Sequence, residues 1–375
     1  MKCFDWRSPG AGDYELMTSD PSSTQSLPRR LLHRFVPAGF HDPVGLTKRL
    51  IKSRDPAAIF AMKLAAAGPL CVPLDFLLEP FERRAYRAAP PRRLPVILVC
   101  GPPRSGTTLL LQALIQNLPV AYFDNLTALF PRSPITANRL FSRLISRNPM
   151  GFRSYYGRTD HLSGSNDGLQ LWDRWLGADR SRPPSELSPE QRDTMVQFFN
   201  AFEAWSGRPL VAKNNNLNAS ASLVAEALPD SYFLCLTRDP VLLARSLLRA
   251  RLEIHGREDL GYGLTPGNRR DDPVEDVCRQ VIFHSTLAQE QQTRIGADRF
   301  HLISYEGFCR NPSATLKLVS EQILRRPVPS GGFSHLPEAF EPANTPFGND
   351  TLLTRLERTL DSLAASSANP SGTVS

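Results

Sequence analysis

The stretch Pro95-Val-Ile-Leu-Val-Cys100, followed directly by Gly101-Pro-Pro-Arg-Ser-Gly-Thr-Thr108, decides the fold class of this chain. The first run is continuously apolar and rich in β-branched residues, which is typical of a parallel strand buried on both faces. The two glycines of the second run have the spacing of a phosphate-binding loop. In such a loop, backbone N–H groups surround a phosphate and the next helix adds positive potential. The sequence therefore predicts a strand, a phosphate-binding loop and a helix over 107–117.

Apolar strands and helical segments continue to alternate after this unit. Further strands are predicted at 210–212, 231–237 and 300–304, and further helices at 217–228, 241–251, 274–295 and 312–323. Alternation of this kind is typical of parallel sheets covered by helices. The fold class is therefore predicted as α/β, with a P-loop-like doubly wound parallel sheet flanked by helices and an N-terminal helical extension.

Composition divides the 375 residues into four parts. Clusters of Pro, Gly and Ser mark the boundaries, because such residues favour turns and linkers. The predicted parts are a disordered segment 1–28, an extension of short helices 29–90, a main domain 91–328 containing an insertion 140–206, and a C-terminal tail 329–375.

The N-terminal third carries no predicted targeting or membrane-spanning segment. The first 25 residues lack the apolar core of a secretory signal. The most apolar stretch, 57–78, is interrupted by Lys63, Pro69, Pro73 and Asp75 and is expected to fall short of a membrane span. The six cysteines form no CxxC pair, so we expect reduced thiols, no metal site and a cytoplasmic location.

The basic residues favour an anionic ligand. The net charge is +7, and only six of the 44 basic residues are lysines. Arginine donates hydrogen bonds in pairs to phosphate and sulfate, although solvated surface arginines explain the same composition equally well. No basic run is interleaved with aromatic residues, so nucleic-acid binding is not expected. Association with a membrane surface stays open.

The loop departs from that of magnesium-dependent P-loop NTPases at one informative position. Those enzymes place Lys and then Ser or Thr directly after the second glycine, whereas this chain has Thr107 and Thr108. Arg104 lies inside the loop instead. The loop is therefore predicted to hold a 5′-phosphate-type group beside another anion. A nucleotide kinase is the alternative enzyme class, and it predicts a lysine that is absent here.

A second anion-binding element is predicted where the strand 231–237 ends. Arg238 follows this strand in the sequence Arg238-Asp-Pro240, and Ser246 lies two helical turns further on. An arginine at a strand end and a hydroxyl on the next helix can hold one phosphate from two sides. A solvated arginine and serine on a helix edge is the alternative for this pair taken alone.

These motifs together resemble the PAPS-dependent sulfotransferases, PAPS being 3′-phosphoadenosine 5′-phosphosulfate. Pro103-Arg-Ser-Gly-Thr-Thr-Leu-Leu110 looks like their 5′-phosphosulfate loop, in the form shared by tyrosylprotein sulfotransferases and many bacterial enzymes. Lys213 at a strand end and the turn Tyr305-Glu306 also match the family's pattern. The resemblance covers about 95–327. It implies PAPS as co-substrate, PAP as product and no required metal.

The resemblance also implies roles for individual residues. Arg104 and Lys213 would be the catalytic cations, and the insertion 140–206 would face the acceptor. The donor would be bound by Arg104, Ser105, Gly106, Thr107, Thr108, Arg238, Ser246 and Tyr305. For the general base we expect Asp167 first, then Asp124, then His161, and Asp167 as a helix N-cap is an equal alternative.

The acceptor is not identified by the sequence. Hydroxyl or amine groups of glycans, lipids, peptides and small metabolites all stay open, as does the oligomeric state. A non-catalytic protein of the same fold that binds PAP is a further alternative. The presence of Arg104, Lys213, Arg238 and Ser246 together disfavours that alternative.

Overall fold

All five strands of the central sheet run parallel, in the spatial order β2-β3-β1-β4-β5. A computed structural model describes residues 42–142, 151–267, 270–343 and 347–368, so the predicted disordered segment 1–28 lies outside the described residues. The strands are β1 (Val96–Cys100), β2 (Ala121–Tyr122), β3 (Leu210–Lys213), β4 (Ser231–Thr237) and β5 (Phe300–Ser304). The predicted α/β class with a parallel sheet is confirmed.

Helices cover the sheet and form the N-terminal region. They are α1 (Pro43–Ser53), α2 (Pro56–Ala88), α3 (Thr107–Asn117), α4 (Asn125–Leu129), α5 (Pro134–Phe141), α6 (Leu169–Leu176), α7 (Pro189–Ser206), α8 (Leu217–Ala227), α9 (Pro240–His255), α10 (Pro273–Ile295), α11 (Tyr305–Arg310), α12 (Pro312–Leu318) and α13 (Asp350–Ala368). The helix predicted over 312–323 stops being α-helical after Leu318 and continues as a π-helical turn, Val319–Ile323. Strand β2, two residues long, was not predicted.

Strand β1 is buried on both faces, as its continuous apolar sequence predicts. Val96, Leu98 and Cys100 join the hydrophobic cluster on one side of the sheet, whereas Ile97 and Val99 join the cluster on the other side. This alternation is the two-residue period of an extended chain. Because β1 pairs in parallel with β3 and β4, the loops after all three strands meet at one edge of the sheet.

The insertion between β2 and β3 contributes to the main core. Trp172 and Trp175 of α6 are fully buried and pack in tilted ring contacts against Phe198 and Phe199 of α7. Both α6 and α7 thus pack in the same hydrophobic cluster as β1. The two tryptophans are therefore core residues.

Helix α2 differs from the short helices predicted for 29–90. It continues for 33 residues through Pro69, Pro73 and Pro80, although each internal proline removes a helical hydrogen bond. Asp55 is the N-cap of this helix, and its side chain accepts from the amide of Ala57. By length and composition alone α2 meets the requirement for a membrane span, with a mean hydropathy of 1.7 over 18 residues. The prolines in the sequence led to the opposite expectation.

Tertiary contacts explain why α2 stays continuous. The buried carboxylates of Asp75 and Glu82 accept hydrogen bonds from backbone amides at the start of α5, namely Arg132, Ser133, Ile135 and Thr136. These bonds satisfy amides that the first turn of α5 leaves without helical partners. They also fix both carboxylates on the inward face of α2, so packing overrides the local preference of proline.

Candidate nucleotide-binding and active site

The loop after β1 has the backbone conformation of a tight phosphate-binding turn. Gly106 adopts φ +96°, and a Cβ at this position would lie only 2.3 Å from the Tyr305 ring. A larger residue is therefore excluded by both backbone conformation and contact. Ser105 is fully buried and donates to the carbonyl of Pro102 at 2.8 Å, which closes the turn from inside. Helix α3 begins directly afterwards, at Thr107.

Arg104 connects the loop to the end of β4. It adopts φ +72°, an uncommon conformation for a residue with a side chain. Its carbonyl oxygen accepts a 2.7 Å hydrogen bond from Arg238 Nη1, and its own Nε donates to Ser246 Oγ at 3.4 Å. The structure therefore brings together Arg104, Arg238 and Ser246, the three residues predicted to bind anions at two separate points of the sequence.

Arg238 is held in place on three sides. Its guanidinium lies over the ring of Tyr305, 4.7 Å from the ring centre, and its Nη2 donates to the carbonyl of Ala343 at 2.8 Å. The amide of Ala343 in turn donates to the hydroxyl of Tyr305 at 3.0 Å. Burial lowers the pKa of Arg238 from its usual high value, and the charge of Arg104 acts in the same direction. Two cations kept together in this way form a natural anion site.

Tyr156 covers another side of the Arg104 side chain. This tyrosine was not predicted from the sequence as a site residue. The Arg104 guanidinium carbon lies 4.4 Å from the centre of the Tyr156 ring, a cation–π contact. The Tyr156 hydroxyl donates to Glu253 Oε2 at 2.5 Å, and Arg249 Nε donates to the other oxygen of the same carboxylate at 2.6 Å. Burial raises the pKa of Tyr156, so its hydroxyl stays a donor.

The turn that carries Tyr156 also reaches Lys213. A Cβ on Gly157 would lie 3.7 Å from Thr108 Oγ1 and 3.9 Å from Lys213 Nζ. The side chain of Lys213 is only 2% exposed, at the end of β3. Residues 156–157 therefore lie over both the phosphate loop and Lys213. The Tyr156 ring contacts Arg104 and Gly157 lies next to Lys213, so one turn of the chain approaches both predicted catalytic cations.

Lys213 contacts Asp167, the first-ranked base. Lys213 Nζ donates to Asp167 Oδ2 at 2.7 Å. The segment before Asp167 pairs with the chain after β2, because Asn166 N donates to the Phe123 carbonyl at 2.8 Å. Gly168 then turns the chain with φ +60°, at a place where a Cβ would meet the Phe123 ring at 2.8 Å. Gly168 is the N-cap of α6, so the alternative of Asp167 as N-cap is wrong.

The other two candidate bases occupy different surroundings. Asp124 is the N-cap of α4, where its Oδ1 accepts from both the amide and the hydroxyl of Thr127, at 2.7 and 2.8 Å. Burial raises the pKa of Asp124 despite these bonds. His161 has a side chain that is 65% exposed, and its Nε2 lies 3.4 Å from the carboxylate of Asp160. Of the three candidates, Asp167 is the one that contacts Lys213.

The comparison with known proteins identifies the family of this chain. The profile of the sulfotransferase family matches residues 95–323, which include β1, the phosphate loop, β3, β4 and β5. The chain belongs to the sulfotransferase family. A search of curated proteins found no match.

One solved sulfotransferase shares the fold of this chain, and a second gives a weaker likeness. A sulfotransferase from Mycobacterium avium is 14% identical, with a TM-score of 0.51, over 86% of this chain and 90% of its own. A second, from Mycobacterium tuberculosis, is 11% identical with a TM-score of 0.47, over 88% of this chain and 93% of its own. The first of these likenesses supports the parallel-sheet fold.

The candidate site contains further residues that were assigned no role from the sequence. Tyr156 and Glu253 lie outside the recognised motifs, and Asn215, two residues after Lys213, accepts at Oδ1 a hydrogen bond from the hydroxyl of Thr107 at 3.1 Å. In the ranges 42–142, 151–267, 270–343 and 347–368, no group of three or more His, Cys, Asp or Glu side chains is arranged to hold a metal ion. The candidate site itself is built from arginine, lysine, hydroxyl and carboxylate groups.

Proposed function

We propose that this sulfotransferase moves a sulfuryl group from PAPS to a hydroxyl or amine of its acceptor. The observation that carries the proposal is the contact between Arg238 and Arg104, because it joins the two elements that would bind opposite ends of one donor. PAPS carries a 3′-phosphate on its ribose and a phosphosulfate on its 5′ side. A donor with two separated anions fits two arginine elements that meet at one edge of the sheet.

The donor's 5′ side would be bound by the phosphate loop. The backbone amides around Gly106 and the first turn of α3 supply hydrogen-bond donors and positive potential, and the hydroxyls of Thr107 and Thr108 lie in that same turn. The 3′-phosphate would be bound by Arg238 and Ser246. In the present structure Ser246 Oγ accepts from Arg104, so this hydroxyl is already oriented toward the charged groups.

The reaction itself needs little covalent help from the protein. The acceptor atom forms a bond to sulfur while the bond from sulfur to the bridging oxygen breaks, and the acceptor's proton leaves to a base. Negative charge gathers on the bridging oxygen and is shared with the sulfonate oxygens. Positioned cations stabilise that charge, and Lys213 and Arg104 are the cations that the site provides.

Asp167 is the base that the geometry favours. Its Oδ2 accepts from Lys213, and a carboxylate has a second oxygen that can receive the acceptor's proton. Lys213 would thereby position the base and also stabilise the negative charge that develops on the leaving group. Asp124 instead uses its Oδ1 to cap α4, and His161 lies at the surface beside Asp160.

The proposal is tested by turnover with PAPS in the presence of a chelator. The purified protein is incubated with sulfur-labelled PAPS, a heat-inactivated cell lysate as the source of all acceptor classes, and EDTA, and the labelled product and released PAP are both quantified. We expect one PAP for each labelled product, and the same rate without EDTA. A requirement for magnesium, or transfer of phosphate from ATP instead, would identify a nucleotide kinase. Binding of PAP without any transfer would identify a non-catalytic protein.

A further inference from the structure

Helix α2 presents a stripe of large apolar side chains to solvent. Leu70 is 81% exposed, Leu77 69% and Phe81 64%, and Leu74 between them is 37% exposed. Steps of four, three and four residues place all four on one side of the helix. We call these four residues the α2 apolar face. Isolated exposed leucines are ordinary, but four in one row on a helix indicate a surface that something covers.

The charges of α2 are sorted between its two sides. Its four basic residues, Lys63, Arg83, Arg84 and Arg87, are all exposed. Its three carboxylates face the protein: Asp75 and Glu82 are fully buried against α5, and Glu79 pairs with Arg83 and Arg132. By helical spacing Lys63 and Arg84 lie in line with the α2 apolar face, one at each end of it. The outward side therefore combines apolar and cationic groups, with every carboxylate turned away.

We propose that α2 lies along the surface of an anionic lipid bilayer, with the α2 apolar face inserted at the level of the headgroups. An exposed apolar stripe with cations at its ends matches the requirements of an interfacial helix. The cations are attracted by anionic headgroups, whereas inward carboxylates avoid repulsion. A helix of 33 residues is about 50 Å long, so the stripe occupies its middle and leaves both ends in water.

The contacts of α2 favour lying on the bilayer over crossing it. Asp75 and Glu82 provide the acceptors for backbone amides at the start of α5. If α2 crossed the membrane, those amides would lose their acceptors and two carboxylates would enter hydrocarbon. Both changes are strongly unfavourable. Surface binding leaves the inward side of α2 unchanged.

Co-sedimentation of the full chain with lipid vesicles tests this inference independently of any activity. Phosphatidylcholine vesicles are compared with vesicles that also contain phosphatidylglycerol. We expect binding to the mixed vesicles, a fall in binding as salt rises, and release of the protein by alkaline carbonate. Absence of binding to the anionic vesicles overturns the proposal. Retention after carbonate extraction also overturns it, because it shows a membrane-spanning helix.

Two pairs of variants assign the binding to this surface. Leu70→Ser and Leu77→Ser are each expected to lower the vesicle partition coefficient about tenfold, whereas Leu302→Ser, an exposed leucine on the edge strand β5, should leave it unchanged. Lys63→Gln/Arg84→Gln should lower it by about tenfold or more. Arg310→Gln/Lys317→Gln removes the same charge from another exposed site and should have little effect.

Each variant is checked for PAP affinity and thermal unfolding, so that a folding defect is recognised. An equal loss of vesicle binding in the α2 variants and in their controls overturns the proposal. Binding to the vesicles would then depend on the net charge or the overall apolar surface of the protein and not on α2. A wild-type dimer that dissociates in Leu77→Ser overturns it as well, since a second copy would then cover the α2 apolar face.

Discussion

Arg238 Nη1 donates a 2.7 Å hydrogen bond to the carbonyl oxygen of Arg104, although 134 residues separate the two arginines in the chain. The bond fixes the loop after β1 to the end of β4. It also keeps two guanidinium groups in one region, where burial and the charge of Arg104 lower the pKa of Arg238. Repulsion of this kind is relieved when an anion binds between the cations. From the contact between Arg238 and Arg104 we therefore predict which nucleotides bind tightly.

Arg238→Gln should weaken PAP binding by about 10- to 100-fold, because it removes a charge-assisted hydrogen bond to the 3′-phosphate. The affinity for 5′-AMP, which lacks that phosphate, should change much less. Isothermal titration calorimetry of both nucleotides gives the ratio. Arg310→Gln, at an exposed position on α11, is the matched control and should leave both affinities unchanged. Equal losses for PAP and 5′-AMP would show that Arg238 only supports the loop.

Asp167→Asn should lower kcat by about 100-fold or more, with a small change in KM for PAPS, since the amide cannot take the acceptor's proton. Asp124→Ala should instead lower the free energy of unfolding by about 1 kcal/mol through loss of the α4 N-cap, and leave kcat nearly unchanged. Steady-state kinetics and urea unfolding separate the two effects. A stable Asp124→Ala protein without activity would reverse the order of the candidate bases.

The sequence predicted the parts of this site that depend on local pattern. A strand buried on both faces, such as β1, needs a continuous apolar run, and a phosphate loop needs glycines at fixed spacing. Strand ends in a parallel sheet then meet at one edge, so Arg104 and Arg238 were expected together. The contact between Lys213 and Asp167 was not predictable, because it depends on how the chain over 156–168 packs against β3.

Helix α2 is a case in which a prediction from local sequence rules is wrong. Three internal prolines predict breaks, and taken alone each disfavours a continuous helix by about 3 kcal/mol. Asp75 and Glu82 hold the inward side of α2 against α5 over that same stretch. Hydrogen bonds between elements that lie far apart in the chain leave no recognisable pattern in the sequence of either element. The continuity of α2 depends on such tertiary contacts and could therefore not be predicted from its sequence.

Tyr156→Ala should weaken PAP binding about 3- to 30-fold, because the Arg104 guanidinium loses the aromatic ring on which it lies. Tyr156→Phe keeps the ring and loses only the hydroxyl that donates to Glu253. It is therefore the matched control, and its PAP affinity should stay within about threefold of the wild type. Calorimetry with PAP distinguishes the two variants. If Tyr156→Phe lost as much affinity as Tyr156→Ala, the hydrogen bond to Glu253 would be the more important contact.

His284 should make the fold less stable in mild acid. It is fully buried between Asn218 and the carbonyl of Leu264, and burial lowers its pKa from 6.5 to about 4. The unfolded chain therefore binds a proton below about pH 6.5 that the folded chain does not bind until about pH 4. The stabilising contribution is complete above pH 6.5 and is lost as pH falls through this window, by up to roughly 3 kcal/mol.

Urea unfolding at about pH 7.5 and about pH 4.5 measures this loss. His284→Gln keeps a neutral polar side chain that does not titrate, so the difference in unfolding free energy between the two pH values should shrink by roughly 2–3 kcal/mol. His335→Gln, at an exposed position, is the control and should keep the wild-type difference. If His284→Gln showed the same acid sensitivity as the wild type, the loss of stability would have to come from other groups. Asp124 and Glu82 contribute in the opposite sense. Burial raises the pKa values of their carboxyl groups, so these two groups make the folded protein more stable, not less, as the pH falls.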